Sequence, residues 1–205
     1  MPGPFLRTNI DLDKNFIRGA ARVMWAGTTI AFPTYIGDVI NLSTFDAQTG
    51  WNDLGATKTG ITITINNTEE AFDVDQIYGD IDARPTAWEV SVATALSEMT
   101  LAKLQLAWEG SAAGTDIQGA ATLGIGVPLF YIKRRLAVLF QRQNNQIRAF
   151  MFRIVQRSPQ EAPILFSKTG EQQTVPIRFR SLADTSVADV TTRFFTIFDQ
   201  AGFGT

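Results

Sequence analysis

Apolar and polar residues alternate with a period of two along much of this chain, the spacing of strands, whose successive side chains point to opposite faces. The alternation is weak over 21–25 and unbroken through Ile61-Thr62-Ile63-Thr64-Ile65. It returns at Trp88, Val90 and Val92, with Glu89, Ser91 and Ala93 interleaved. Each of the last two stretches predicts a strand with one buried face. Two longer strands are predicted over 132–141 and 146–156, around Asn144 and Asn145, which suit a tight turn because Asn tolerates positive φ. Their faces are mixed: Phe150, Phe152 and Ile154 share one side, while Ile147, Ala149, Met151 and Val155 share the other with Arg153. A strand apolar on both faces has to be covered on both, by its own domain or by a neighbour. Further strands are expected at 175–180 and 193–198.

One helix interrupts this pattern. Thr100 can cap it, Leu101, Leu104 and Trp108 recur at i, i+3 and i+7, and Gly110 is placed to end it. The stretch 110–127, rich in Gly, Ala and Thr, predicts a loop or extended arm, and no repeat of 20 to 50 residues is visible. The chain reads as a single domain over 1–205, mainly β (α+β), with one packed helix.

Length and composition agree with that reading. A chain of 205 residues buries about 70% of its unfolded surface, enough for a sizeable core. Apolar residues at 45%, charged residues at 19% and a net charge of −2 give no global attraction to nucleic acid or to an anionic membrane. Fifteen Phe against three Tyr imply much aromatic surface hidden without a polar tip to satisfy, in a core or at subunit contacts. The first residues lack the basic-then-apolar order of a signal peptide, and no apolar run is long enough to span a bilayer.

The charge is unevenly spread. Segment 66–89 holds seven acidic residues and one basic, Arg84, whereas 117–160 holds seven basic residues and no acidic one. The two are complementary. Either their charges pair within the subunit, or one surface meets a different surface of the next copy, a heterologous contact that closes rings or continues as a filament.

Catalytic chemistry finds little to work with. With no histidine and no cysteine, the commonest general base, the thiol nucleophile and nearly all zinc chemistry are excluded. Asp73 with Asp75, and Asp80 with Asp82, each put two carboxylates on one face of an extended segment, which could hold a divalent cation or serve acid and base roles. An EF-hand counted from Asp73 fails, however, because Ile77 and Tyr78 stand where Asp or Asn and Gly are needed. Gly124-Ile-Gly126 lacks the third glycine of a dinucleotide loop, and there is no P-loop. Basic residues around Phe150 and Phe152 could mimic a stacking platform for single-stranded nucleic acid, against which the low net charge weighs. The expectation is a protein that is not an enzyme and uses no cofactor or metal.

Several motifs together carry a resemblance. Trp51-Asn-Asp-Leu54-Gly55-Ala-Thr57, then Gly60-Ile61 and the alternating strand, then Phe72-Asp-Val-Asp75-Gln76-Ile-Tyr-Gly79-Asp80-Ile81-Asp82, the strand through Val90 to Leu96, and the helix at Leu101 resemble the tail tube (major tail) protein of long-tailed bacteriophages. Gln173-Thr-Val-Pro176-Ile-Arg-Phe179-Arg180-Ser-Leu182-Ala-Asp184 is similar to that family's late strand. The resemblance implies a β-sandwich or barrel tail-tube fold with one flanking helix, assembled with sister copies into six-membered rings that pool strands into an inner barrel. Stacked rings would form the conduit for DNA ejection, in which DNA passes without specific binding, in contact with tape-measure, tail-terminator and baseplate proteins. The place of action would be the virion, after synthesis in the bacterial cytoplasm. By the same resemblance the loop around Gly50 to Gly60, which bears Trp51 and Leu54, would reach an adjacent ring. Asp73, Asp75, Asp80 and Asp82 would lie at a subunit border or face the lumen, and the long hairpin strands, which begin beside Arg134 and Arg135, would belong to the barrel wall. The assembly or lumen residues expected are therefore these eight, and the alternative readings are another phage tail or baseplate structural protein or a β-rich ligand-binding module.

Overall fold

The structure, a computed structural model, describes residues 17–74, 77–98, 100–109, 111–115, 118–127, 130–142, 146–158 and 173–200. Among these, antiparallel strands dominate: β1 (Ile17–Gly27), β2 (Trp51–Asp53), β3 (Thr57–Val74), β4 (Ile77–Leu96), β5 (Ser111–Thr115), β6 (Ala121–Ile125), β7 (Arg134–Arg142), β8 (Ile147–Arg157), β9 (Val175–Leu182) and β10 (Phe195–Asp199). The described α-helix is α1 (Leu101–Ala107). An eight-stranded sheet runs in the order β2-β1-β7-β8-β9-β4-β3, with β10 also on β8, and β5 pairs with β6 in a separate two-stranded sheet. Among the described residues the sheet does not close into a barrel.

Each expected strand is present, and the alternating pair forms one long hairpin. Ile63 faces Val92 and Ile65 faces Val90 across β3 and β4, the cross-strand apolar pairs that fix the register. The hairpin extends further than alternation alone indicates, because both strands continue through the acidic 66–89 segment to Val74 and Ile77. Pro85, which has no N–H for the ladder, sits where the register shifts between Thr68 and Glu69. The opposite face of this half of the sheet is polar, and Arg178 of β9 donates to the Ser91 hydroxyl there at 3.1 Å.

The strands apolar on both faces are covered on both faces by the subunit itself. Val23, Leu136, Val138 and Phe152 point into one cluster, closed by Val90, Val92 and Phe179 and by Leu106 and Ala107 of α1. Met24, Ala26, Ala137, Leu139, Ala149 and Met151 point into a second, closed by Ile36, Val39 and Ile40 from the β1–β2 connection. Val155 departs from the expected face. The pairing Leu136 to Phe152 becomes Arg134 to Val155, a bulge of one residue in β8, so Val155 joins the side of Phe152. At the same bulge the outer edge of β8 changes partner, from β10 along 148–152 to β9 along 154–157. Four of the fifteen phenylalanines pack here, with Phe140 edge-on to Phe150 at 5.6 Å and Phe152 against Phe195 at 5.4 Å.

Thr100 caps α1 as expected, its hydroxyl accepting from the Lys103 amide at 3.4 Å. Seven residues make a helix that is marginal alone, so packing holds it. The buried positions are Leu106 and Ala107, while Leu101 is exposed. A helix of two turns takes its orientation from the sheet beneath it, which its own spacing does not encode. Gly110 lies outside the described residues. The expected loop or arm is a two-stranded hairpin in which Ala113 faces Leu123.

Candidate assembly surfaces

The sheet ends on two unequal margins. Along its outer side, the 18-residue strand β3 has no ladder partner among the described residues. At the other margin β2 covers β1 only over 24–26, and beyond that the Val23 carbonyl accepts from the Leu54 amide at 2.8 Å. Residues 17–22 of β1 therefore present a strand edge with no ladder partner on that side among the described residues. The two margins curl toward one another, and between them lies a cavity of about 650 Å³. Its walls include Ala21 and Arg22 of β1, Thr57 of β3, Glu98 after β4, and Leu139 of β7.

The cavity rim is organised by Asp53. Its carboxylate accepts from Arg22 Nε at 2.5 Å and from the Gly55 amide at 2.9 Å, while Lys103 of α1 donates to its backbone carbonyl. Arg22 also donates to the Phe45 carbonyl. Two glycines make this path possible: Gly50 at φ 87° and Gly55 at φ 93° stand on either side of β2, in a region that costs other residues strain.

The structure separates the residues that the sequence groups as assembly candidates. Trp51 and Leu54 are buried in the subunit, Trp51 beneath the second cluster and Leu54 in the first. Arg134 is buried too, pairing with Glu109, donating to the Ile132 carbonyl at 3.3 Å and lying 5.7 Å from the Trp25 ring centre. Arg135 is half-buried, its Nε donating to the Ile30 carbonyl at 2.5 Å. Burial holds its guanidinium below the ordinary value, with Asp184 opposing and Arg153 adding to the shift. Asp73, Asp80 and Asp82 lie on the outer half of the β3–β4 hairpin, where Asp82 pairs with Phe72 in register. Asp75 lies outside the described residues.

The ion pairs among the described residues use acids other than those of 66–89. Among the described residues Arg134 pairs with Glu109, and Arg148 with Asp199 at 2.5 Å. Arg153 stacks over Phe32 at 4.0 Å and donates to the Thr192 carbonyl at 2.6 Å. Arg157 is held below its ordinary value by burial, against the pull of Glu109 and Tyr131. Sequence reasoning did not single out Glu109, Asp53 or Asp199. Each lies far along the chain from the arginine it meets, so no local spacing could have flagged it.

Among the described residues, exposed apolar side chains gather at the end of β6 and just beyond it: Ile125 is 67% exposed, Val127 90% and Phe130 77%. A second such group lies on the hairpin, at Ile65 and Trp88. No described helix is long and apolar enough to cross a membrane.

No protein-family model and no curated protein sequence matches the chain. Among solved structures, a chain in the cryo-EM structure of the anti-feeding prophage (AFP) baseplate, 6-fold symmetrised, is similar over 89% of this chain and 95% of that one, with 6% identity and a TM-score of 0.46.

Proposed function

We propose that this chain is a non-catalytic structural subunit of a phage tail, assembling with copies of itself into stacked rings of six that form the tail tube. The observation that supports it is the pair of sheet margins left unsealed among the described residues, above all the length of β3 that has no partner there. A long edge strand is a template for pairing with another chain, and folded proteins cover, twist or charge such edges unless they use them. Two different margins on one sheet suit a heterologous contact, in which each copy offers one margin to the next and the ring closes on itself. The motif order around Trp51, Gly55, Asp80 and Phe179 supports the same reading. The acidic end of the hairpin suits a conduit for DNA, because carboxylates repel phosphate at short range and let the duplex slide. Tape-measure, terminator and baseplate proteins are the further partners that this role entails.

Negative-stain microscopy of the purified chain over a concentration series is the test. Rings and tubes are the expected result. A field of monomers at the highest concentration overturns the reading, and rings that never stack would move the role from tube to a single-ring tail component.

A further inference from the structure

We propose that the β5–β6 arm is a plug, and that the cavity between β1 and β3 of a second copy is its socket. This rests on the tube-subunit reading and specifies one contact within it. Plug and socket lie at opposite ends of the same strands. The arm returns to the sheet at Arg134, the first residue of β7, while the cavity is lined by Leu139 of β7 and Ile147 of β8. From Arg134 to Gln141 is seven steps of strand, about 23 Å at 3.3 Å per residue. Helix α1 spans the same direction, with Lys103 tied to Asp53 at the socket rim and Glu109 at the arm base.

The arm is held to present its apolar residues. Glu109 just before it accepts from the Ile132 amide just after it at 3.2 Å and pairs with Arg134, so both ends of the arm are fastened to one buried carboxylate. Beyond that clasp Ile125, Val127 and Phe130 stand in solvent, and between residues 111 and 132 the sequence holds a single charged residue, Asp116. Exposed apolar residues so grouped mark a contact surface.

The socket has the complementary character. Its floor is apolar, from Ile40, Leu139 and Ile147, and the Arg22–Asp53 pair on its rim is mutually neutral. Its volume of about 650 Å³ falls within the range of roughly 300–1,000 Å³ that seats a compact apolar group. A nearly uncharged plug therefore meets a socket with an apolar floor and its charged groups, Arg22, Asp53 and Glu98, at the walls. Because the two are different surfaces of one molecule, each copy can fill its neighbour's socket and leave its own free, so growth is head to tail and open-ended.

The chain contains no cysteine, which makes the contact directly testable. In a V127C/T57C double variant, oxidation of the assembled protein should give a ladder of covalent multimers on a denaturing gel, whereas either single variant gives at most dimers. Phe130→Asp, at a solvent-exposed position, should leave the thermal midpoint of the subunit unchanged and shorten or abolish tubes. Wild-type tubes with no ladder in the double variant, and tubes of normal length from Phe130→Asp, overturn the plug while leaving the tube reading standing. Wild-type protein that never assembles removes both.

Discussion

Glu109 and Arg134, twenty-five residues apart, form a buried ion pair that closes the base of the β5–β6 arm. One Glu109 oxygen serves Arg134 and the other accepts from the Ile132 amide, so a single carboxylate fixes the end of α1 to the start of β7.

Removing one partner leaves a charge in a place that water does not reach. Glu109→Ala is expected to destabilise the subunit by about 3–5 kcal/mol, because the Arg134 guanidinium is left uncompensated. Denaturant unfolding measures it. The double variant E109L/R134M should be less destabilised than Glu109→Ala, since no unpaired charge then remains; a double variant as unstable as the sum of both singles would show that the charges act independently.

The β2 entry turn depends on backbone handedness. Gly50 has φ 87°, and a Cβ there would meet Ile30 Cδ1 at 2.5 Å. Gly50→Ala should therefore cost roughly 1–3 kcal/mol, a magnitude set by left-handed backbone in a residue with a side chain. A thermal midpoint equal to that of the wild type would show that the turn relaxes freely.

Acid should loosen the region just before β10. Asp184 and Asp189 are held below the ordinary carboxylate range, Asp184 chiefly by the Ser186 hydroxyl and Asp189 chiefly by the Thr191 hydroxyl. With the folded pKa depressed, the unfolded chain binds more protons, so this contribution is present above about pH 4 and is lost as the pH falls through the folded values. Thermal midpoints of Asp184→Asn and Asp189→Asn followed over that acid range should fall less steeply than the wild type's. Parallel curves would show that neither carboxylate is linked to folding.

Reversing charge at the outer hairpin tests the conduit. Asp80→Lys with Asp82→Lys should alter tube assembly or slow DNA release, because a cation invites the phosphate backbone that a carboxylate repels. Particles that carry both substitutions and eject DNA at the wild-type rate would remove these residues from any lumen role.

Much of the fold was legible in the chain because alternation is a local property. Ile61 to Ile65 and Trp88 to Val92 announce a one-faced hairpin, and Thr100 announces the start of α1, through geometry that spans only a few residues. The acidic half of that hairpin was less legible, since Asn66 to Glu70 is polar at every position, shows no alternation and inherits its register from the apolar half. The arm was legible as an extended feature but not as paired strands, because Gly, Ala and Thr carry little periodic signal.

By itself, then, the sequence determined where most strands lie, the presence of one capped helix, and the absence of imidazole and thiol chemistry, all of which follow from residue identity and short-range spacing. The tertiary structure alone decided that Trp51 and Leu54 are core residues, that Val155 changes face at a bulge, and that Arg134, Arg135, Arg148 and Arg153 answer to Glu109, Asp199 and backbone carbonyls. It also brought the margins of β1 and β3 to the two sides of one cavity. These outcomes depend on which strands become neighbours. Strand order and partner choice are settled by contacts between residues as far apart as Ile30 and Arg135, 105 positions along the chain, which no window of local pattern contains.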